Sequence, residues 1–425
     1  MARTGHGEAG NSLAAAATTG YRSPVDVGKD VTVVLCTGDG EVLGALPSFP
    51  VPTPWWPEVT EVVRGCRHRH AADVTVLRLL TAPADLTSGG EVAYLAELTG
   101  AVPADLRPWS GDPTAEHPLR QGWARPGGPR RELGWAVEQL ADAGRPATGR
   151  PQQVKTWNLS SIWRVPTADG DVWLKSVPPF FAHEGLLMTR LDPSSVPRPL
   201  AAQPGRVLLP DVVGTDQFHA TGEPLTAMVE QLVALQVPFL GRTEDLLALG
   251  VPDRRLTTIA PRLAEVVREQ TGALGVEELR RLEHLLQTLD ARAERLAACG
   301  IPDTLVHGDF HPGNVRGTPG DLAILDWSDS AVGHPLTDEL AFFRPLGRGD
   351  RERVAAVWST AWRRVVPGCE PERAVGLLRP VMPLVAAMVY ADLCAGIEPD
   401  ERVYHARDVP ACLREAAAAA AVPGT

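Results

Sequence analysis

Hydrophobic and polar residues alternate in short runs over the first quarter of the chain, which is the pattern of half-buried strands. The β-rich runs are Val31 to Leu35, Glu41 to Leu46, Val74 to Leu80 and Val92 to Leu98. Asp39-Gly40 lies between the first two runs and favours a hairpin there. Val59, Val62 and Val63 have helical spacing before the third run. This order predicts a small α+β domain over residues 25–112.

A second β-rich region begins near Pro151 and gives way to long helical stretches. Its strand-like runs are Ile162 to Val165, Val172 to Lys175, Val196 to Ala201 and Val207 to Pro210. Beyond them, apolar residues recur at helical spacing over Leu225 to Leu235, Leu256 to Val267, Val276 to Ala298, Val354 to Val365 and Val375 to Cys394. The pattern predicts a small β-rich lobe over residues 151–215 and a large helical lobe over residues 216–425.

The remaining segments are a tail and a linker. Residues 1–24 lack the continuous apolar core of a signal peptide, so we expect a disordered tail. Residues 113–150 are rich in Pro and Gly and contain the helical stretch Glu132 to Ala143, which predicts a linker and helix. The most apolar run, Val381 to Tyr390, is much shorter than the ~20 residues that span a bilayer. We therefore expect a buried helix there and no membrane partner.

Composition narrows the class of partner. The formal net charge of −11 argues against a nucleic-acid partner, because binding to phosphates usually needs a clustered basic face. The six cysteines are scattered without CxxC spacing, which predicts neither a zinc site nor a disulfide framework and favours a cytoplasmic location. Lys29, Lys155 and Lys175 are the only lysines, so lysine is an unusual choice in this chain.

The segment from Leu305 to Val315 carries the strongest chemical signal. It reads Leu-Val-His-Gly-Asp-Phe-His-Pro-Gly-Asn-Val, and it places Asn314 five residues after Asp309. In kinase sites, an Asp orients the attacking hydroxyl and an Asn at this spacing holds Mg²⁺. Asp326 ends the apolar run Leu322 to Leu325 and is placed to bind the same metal. A turn and a buried strand are the simpler alternative, but three polar residue types would have to coincide in this order.

These segments resemble the HGDxxxxN and IDW elements of the aminoglycoside phosphotransferase and choline kinase-like family of small-molecule kinases. Gly333-His334-Pro335 with Asp338 is similar to the family's GDPxxD segment, with His334 where an acid is often found. The resemblance covers roughly Val154 to Cys394. It implies a bilobal, protein-kinase-like α+β fold with a small β-rich N-lobe and a large helical C-lobe, preceded here by the N-terminal α+β domain. It also implies Mg²⁺ and ATP as cofactors, with GTP left open.

The resemblance assigns roles to individual residues. Asp309 would be the catalytic residue, Asn314 and Asp326 the metal ligands, and His307 and Asp338 structural residues of the catalytic loop. The expected nucleotide contacts are Lys175, positioned by Glu184, the loop residues Asn158, Ser160 and Ser161, and a backbone donor at Asp211 or Val212. An ordinary surface position is the alternative for Lys175, but the rarity of lysine favours a function. Two positions are left open for Trp173: one in contact with the base, and one in the core.

The acceptor side is less defined. The candidate polar groups are Asp329, Glu339, Tyr390 and Asp392. We expect transfer to a hydroxyl of a small, sugar-containing molecule such as an aminoglycoside or a nucleoside-type antibiotic, with a role in antibiotic resistance. The acidic balance is compatible with a cationic acceptor. A metabolic sugar, amino-sugar or amino-alcohol kinase is the alternative enzyme, and a nucleotide-binding pseudokinase acting as an interaction module is the alternative of another class. A homodimer is left open.

Overall fold

The N-terminal unit is a mixed sheet packed against one helix. The structure is a computed structural model that describes residues 28–421, so the predicted tail over residues 1–24 lies outside the described residues. The unit consists of β1 (Lys29–Cys36), β2 (Val42–Ala45), β3 (Phe49–Val51), α1 (Thr60–His70), β4 (Asp73–Thr81) and β5 (Gly90–Thr99). The sheet order is β2-β1-β5-β4, with β3 beside β1 and with β1 parallel to β5. Trp56, Val62 and Tyr94 are fully buried in the core of this unit.

The small lobe is a five-stranded antiparallel sheet with a helix on one face. Its elements are a 3₁₀ helix (Gly122–Ala124), α2 (Gly128–Asp142), β6 (Gln152–Thr156), β7 (Ser161–Thr167), β8 (Gly170–Ser176), a 3₁₀ helix (Pro179–Phe181), α3 (Glu184–Met188), β9 (Ala201–Gln203) and β10 (Arg206–Pro210). The sheet order is β6-β7-β8-β10-β9. Because side chains alternate along β8, Leu174 packs under α2 whereas Lys175 lies on the opposite face and reaches the large lobe. The predicted strand Val196 to Ala201 is wrong: the strand begins at Ala201, since Pro197 and Pro199 cannot donate to a sheet.

The large lobe is mainly helical. Its helices are α4 (Glu223–Gln236), α5 (Thr243–Ala248), α6 (Leu256–Glu269), α7 (Val276–Gln287), α8 (Leu289–Ala297), α9 (Thr337–Phe343), α10 (Arg348–Val365), α11 (Pro371–Leu378), α12 (Met382–Ala395) and α13 (Asp408–Ala419), with 3₁₀ helices at Val237–Phe239, Thr271–Ala273, Pro312–Asn314 and Pro399–Tyr404. Two predicted helices are each divided in two. The first breaks at Thr288, whose hydroxyl donates to the Leu285 carbonyl, and the second breaks around Pro380.

Two small sheets support the loops between the lobes. β12 (Thr304–Val306) pairs with β15 (Ala331–Gly333), while β13 (Val315–Thr318) lies between β11 (Thr215–Asp216) and β14 (Asp321–Ile324). The chain therefore has a bilobal kinase-like α+β fold with an additional N-terminal unit. The exact domain boundaries near residues 112 and 150 stay a prediction.

Between Gly28 and Ala421, no single helix is long and apolar enough to cross a membrane. Taken together, α11 and α12 pass that test of length and composition, but a 53° bend separates them. The apolar run Val381 to Tyr390 forms most of α12 and is buried.

The N-terminal unit and the end of the large lobe meet at the small lobe. Thr156 N–H donates to the Pro57 carbonyl at 3.0 Å, so the N-terminal unit extends the edge of β6. From the other side, residues 398–405, which we call the C-terminal segment, pack against the same strand end. Tyr404 of this segment lies edge-on to Trp157, with ring centroids 5.5 Å apart.

A buried ion pair ties the C-terminal segment to the linker. Arg120 donates from Nε and Nη2 to the two carboxylate oxygens of Glu398, at 2.9 and 2.8 Å. Both side chains are 4% exposed. Such two-point contacts fix orientation as well as distance.

Candidate active site

The catalytic loop between β12 and β13 depends on glycine at position 308. Gly308 has a φ of +85°, and a Cβ there would lie 2.1 Å from the carbonyl oxygen of Asp329. Glycine alone fits this position, because it tolerates positive φ and has no side chain. The loop can therefore pass directly beside the segment that follows β14.

Asp309 and Asn314 are in contact within this loop. The Asn314 amide nitrogen donates to the Asp309 carbonyl at 2.9 Å and to its carboxylate at 3.3 Å. His311 Nε2 lies 3.8 Å from the same carboxylate, and burial lowers the pKa of His311 to about 4. The imidazole is therefore neutral at pH 7, whereas Asp309 is oriented by the Asn314 amide.

His307 and Asp338 make the contacts expected of residues that hold the loop. His307 Nδ1 accepts from the Asp309 N–H at 3.3 Å, and its Nε2 lies 2.9 Å from the Leu325 carbonyl. Burial lowers the pKa of His307 to about 4, so the ring is neutral and Nε2 carries the donated hydrogen. The Asp338 carboxylate accepts from the N–H groups of His307 and Gly308, both at 2.9 Å. These bonds connect α9, the loop and the segment before Asp326.

Lys175 is the centre of a buried charge cluster between the lobes. Its ammonium donates to Glu184 Oε1 and to Asp326 Oδ1, both at 2.7 Å. Ser328 Oγ accepts a third bond at 2.9 Å and itself donates to Glu184. Burial alone would lower the pKa of Lys175, but the two carboxylates raise it above its usual value. The sequence predicted Lys175, Glu184 and Asp326, but it gave no signal for Ser328.

Asp326 has an unusual backbone. Its φ is +60°, a left-handed value that few residues other than glycine adopt. Burial would raise the pKa of its carboxyl group, yet the neighbouring Lys175 holds that pKa well below its usual range. The carboxylate is thus ionised at neutral pH. Left-handed conformations of this kind concentrate at functional sites.

The residues present fit a magnesium ion that arrives with a nucleotide. Asp326 offers carboxylate oxygen, and the amide nitrogen of Asn314 is turned to Asp309, which leaves the amide oxygen as its remaining ligand atom. Within residues 28–421, no group of three or more His, Cys, Asp or Glu side chains is arranged to hold a metal. Mg²⁺ prefers oxygen ligands and usually combines one or two carboxylates with phosphates and water, so this donor set suits it.

The loop between β6 and β7 contains three residues that were predicted to contact the nucleotide. The amide nitrogen of Asn158 donates to a carbonyl of the C-terminal segment at 3.3 Å. Ser160 Oγ accepts from the indole of Trp157 at 2.9 Å, and Ser161 Oγ accepts from that of Trp163 at 3.2 Å. All three predicted side chains are buried. Their polar groups are bonded within the protein, and a contact with phosphate stays a prediction.

The hinge after β10 contains Asp211 and Val212, the two predicted backbone donors to the base. The backbone N–H of Asp211 donates to the Asp171 carbonyl at 3.1 Å. The carbonyl of Val212 accepts from Arg316 at 2.8 Å. Trp173 lies on the Lys175 face of β8, and its indole donates to the Asp211 carboxylate at 2.8 Å. It is thus a hinge residue and not a member of the core under α2.

Lys155 is a second lysine at the charge cluster, and the sequence gave only its rarity as a signal. Its ammonium lies 4.7 Å from the centroid of the Trp157 ring. Burial lowers the pKa of Lys155 to about 8, the charge of Asp326 opposes that shift, and the charge of Lys175 adds to it. The positive charges of Lys175 and Lys155 therefore both lower the pKa of Asp326.

Of the predicted acceptor residues, Asp329 is brought to the catalytic loop. Burial raises the pKa of Asp329 to about 7, and the charge of Asp309 adds to the shift. Arg254 donates to the Asp329 carbonyl at 3.1 Å. A carboxyl group that titrates near neutrality therefore lies close to the carboxylate of Asp309.

The other three predicted acceptor residues are engaged elsewhere. Glu339 is buried near α11. Asp392 accepts from Arg262 at 2.8 Å on the surface between α6 and α12. Tyr390 is buried in the helical core, with its ring stacked on His405. The structure does not bring these three side chains together with Asp329 in one group, and their contact with an acceptor stays a prediction.

The sequence of this chain matches the profile of one known protein family. The sequence profile of the phosphotransferase enzyme family matches residues 153–375, just over half of the 425 residues. No functionally curated protein gives a significant match.

Solved structures with a similar fold include several kinases. A macrolide 2'-phosphotransferase from Brachybacterium faecium is 21% identical, with 69% of this chain and 99% of that chain covered and a TM-score of 0.46. A putative fructosamine-3-kinase from Thermobifida fusca is 17% identical, covering 66% and 97%, with a TM-score of 0.45. A choline/ethanolamine kinase family protein from Mesorhizobium loti is 15% identical, covering 68% and 99%, with a TM-score of 0.44. A likeness at these sequence identities concerns the fold alone. By the family profile, however, the chain belongs to the phosphotransferase enzyme family and is a small-molecule kinase.

Proposed function

We propose that this enzyme transfers the γ-phosphoryl group of Mg-ATP or Mg-GTP to a hydroxyl of a small, sugar-containing molecule. One observation carries the proposal: the Asp309–Asn314 pair lies in the large lobe, and beside it the Lys175–Glu184–Asp326 cluster joins that lobe to the small lobe. A role in antibiotic inactivation belongs to the same proposal.

On the nucleotide side, Lys175 binds phosphate oxygens and Glu184 holds its ammonium in place. Asp326 and Asn314 would hold the metal ion. When bound, Mg²⁺ would neutralise negative charge on the phosphate groups of the nucleotide. Catalysis is then mostly positioning and electrostatic stabilisation by groups that are already oriented.

On the acceptor side, the Asp309 carboxylate orients the attacking hydroxyl and accepts its proton. Two contacts suit it to this role: the Asn314 amide fixes the carboxylate, and the bond from the Asp309 N–H to His307 fixes its backbone. His311, though near, is held neutral by its buried position and leaves the negative charge of Asp309 in place.

The experiment is a transfer assay with Mg-ATP or Mg-GTP against aminoglycosides, nucleoside antibiotics, hexosamines and choline, with phosphorylated product detected by mass spectrometry. We expect transfer to at least one small-molecule hydroxyl. Asp309→Asn should lower kcat by about 10²–10⁴-fold, the usual effect of removing a positioned acid–base group, while nucleotide affinity is retained. Nucleotide binding without transfer to any acceptor would instead favour a pseudokinase, and a wild-type kcat in Asp309→Asn would remove Asp309 from catalysis.

A further inference from the structure

A cavity of about 800 Å³ lies in the large lobe beside the catalytic loop. Gly308, which precedes Asp309, forms part of its wall. So does Arg254, whose guanidinium also donates to the Asp329 carbonyl. Pockets that enclose drug-sized ligands measure roughly 300–1,000 Å³. The cavity is therefore large enough for a whole small molecule and adjoins the residues assigned to the acceptor side.

The wall of this cavity is mainly apolar. Three helices, α8, α9 and α12, contribute Ala297, Leu340, Met382, Val385, Ala386 and Val389. Such a surface stabilises a ligand in proportion to the apolar area that binding removes from water. An apolar body, and not a densely hydroxylated or charged one, complements this wall.

Charged groups of both signs lie around the cavity. Arg254, Arg255 and Arg344 are half-buried in its wall and so is the acidic Asp303, whereas Asp290 and Glu294 lie on exposed turns of α8. Asp338, also in the wall, is bonded to the catalytic loop. These charges largely offset one another, so it is the apolar surface of the wall that disfavours a polycationic ligand. None of the carboxylates predicted to bind an acceptor lines the cavity.

A buried histidine adds a polar feature to the wall. His334 is among the residues that line the cavity, and its Nδ1 accepts from the Leu336 N–H at 3.3 Å, which places the ring hydrogen on Nε2. Nε2 is buried and has no hydrogen-bond partner among residues 28–421. Leaving a buried donor unpaired is unfavourable. A ligand oxygen would supply the missing acceptor.

We propose that this cavity receives the acceptor, and that it selects a hydroxyl compound with a large apolar body and without clustered positive charge. The inference rests on the proposed function, and it replaces a cationic acceptor by an amphiphilic one. The hydroxyl is presented to Asp309 past Gly308, the apolar body packs against α9 and α12, and an ether, carbonyl or hydroxyl oxygen accepts from His334.

The test uses two glucosides that share a sugar and differ in the apolar group, methyl β-glucoside and octyl β-glucoside, the latter below its micelle-forming concentration. Binding to the full chain is measured by calorimetry in the presence of a non-hydrolysable Mg-nucleotide, with kanamycin as the polycationic probe. We expect octyl glucoside to bind at least tenfold more tightly than methyl glucoside, because its longer alkyl chain is buried against the apolar wall. Kanamycin should bind more weakly than octyl glucoside.

Two neighbouring alanines provide matched variants. Both are exposed near the end of α8, but Ala297 lines the cavity and Ala298 does not. Ala297→Trp should remove at least nine-tenths of the affinity for octyl glucoside, whereas Ala298→Trp should leave it within about twofold, and both should keep wild-type nucleotide affinity. His334→Asn keeps an acceptor for the Leu336 N–H but lacks the Nε2 donor. It should weaken octyl glucoside binding about three- to tenfold, the effect of one hydrogen bond.

Equal affinity for the two glucosides, binding of neither, preference for kanamycin, or equal losses in the two tryptophan variants would each overturn the inference. Transfer assays on the same samples separate it from the proposed function. Phosphorylation of kanamycin that Ala297→Trp does not affect would sink the amphiphilic acceptor and leave the kinase assignment intact. Octyl glucoside bound in the cavity, with no transfer to any hydroxyl, would support an amphiphilic ligand and contradict the kinase assignment.

Discussion

Lys29 and Lys155 are buried and Lys175 is largely so, and each lies where a cation must be matched by nearby oxygen atoms. Lys29 donates to two main-chain carbonyls of the N-terminal unit. Lys175 is matched by two carboxylates, and the charge of Asp326 also acts on Lys155. The two ammonium groups offset the carboxylates of Glu184 and Asp326, so the cluster carries no excess negative charge against an incoming phosphate. We therefore treat Lys155 as a second phosphate-binding lysine.

Lys155→Met tests this assignment. We expect the KM for the nucleotide to rise by about 10- to 100-fold, because a hydrogen bond to a charged group contributes roughly 1.5–3 kcal/mol. Steady-state kinetics at saturating acceptor give the value. Lys29→Met is the matched control, since it also removes a buried ammonium, and it should change this KM by less than about threefold. Similar effects in both variants would make Lys155 structural.

Glu339 gives a prediction about pH. Burial raises the pKa of Glu339 to about 8, from the 4.5 of a solvent-exposed glutamate. The folded protein therefore holds this proton between pH 4.5 and 8 while the unfolded chain releases it, so the stabilising contribution is full below pH 4.5 and is lost by pH 8. Glu339→Gln removes the titration. One pKa unit corresponds to about 1.4 kcal/mol, so the variant should gain a few kcal/mol over the wild type between pH 5 and pH 8.5.

Urea unfolding at the two pH values measures the gain. Glu352→Gln, on the exposed face of α10, should show no such change. A Glu339→Gln variant with wild-type stability at both pH values and a higher KM for the acceptor would restore Glu339 to the acceptor site.

At the scale of elements, the loop between β6 and β7 is held by the C-terminal segment. Asn158 donates to the Glu401 carbonyl, and His405 lies on both Trp157 and Tyr390. The loop is thus fixed by residues that follow it by more than 200 positions. Spacing within the loop could suggest a phosphate contact, but only the folded chain shows where the side chains point.

Asn158→Ala separates these two roles. Removing the amide leaves a buried carbonyl without its donor, so we expect the free energy of unfolding to fall by about 1–3 kcal/mol with little change in the KM for the nucleotide. Denaturant unfolding and kinetics on the same preparation decide the matter. A tenfold higher KM without loss of stability would mean that the amide contacts phosphate after all.

Periodicity predicted most elements and missed local breaks. The runs of β4, β5, β7 and β8 follow from alternation, and α4 and α6 from helical spacing. The helix predicted over Val276 to Ala298 breaks at Thr288, whose hydroxyl donates to the Leu285 carbonyl. Hydrophobic spacing does not encode this competition between a side chain and the backbone for hydrogen bonds. Likewise Pro380 divides α11 from α12 although the apolar pattern runs on.

At the scale of the whole molecule, the linker and the C-terminal segment are joined by the Arg120–Glu398 pair. Removing one partner of a buried pair leaves an uncompensated charge and typically costs 3–5 kcal/mol. Glu398→Ala should therefore lower the free energy of unfolding by about that amount. Glu352→Ala breaks an exposed pair with Arg348 and should cost less than about 1 kcal/mol. Equal losses, measured by denaturant unfolding, would mean that the buried pair is not a structural tie.

The two halves of the site were predictable to different degrees. The catalytic and metal-binding candidates follow from short motifs, since Asp309 and Asn314 share one loop and Asp326 ends the next strand pair. The cavity beside that loop depends on how α8, α9 and α12 pack. No single stretch of sequence contains that arrangement, and so the polar residues chosen from the sequence for the acceptor, Glu339 among them, lie outside the cavity.

The packing of Tyr404 has a consequence for synthesis. Val403 and Tyr404 complete the hydrophobic core of the N-terminal unit, whose own strands end at Thr99. A nascent chain emerges from the ribosome with its N-terminal end first. Val403 and Tyr404 are therefore synthesised some 300 residues after the last strand of the unit. At about 5–20 residues per second this is a delay of tens of seconds. During that interval the unit exposes an incomplete apolar surface, and a chain that terminates before residue 403 never covers it. Cells expressing this protein should therefore degrade prematurely terminated chains, and a chaperone that shields the first hundred residues should raise the yield of the complete enzyme.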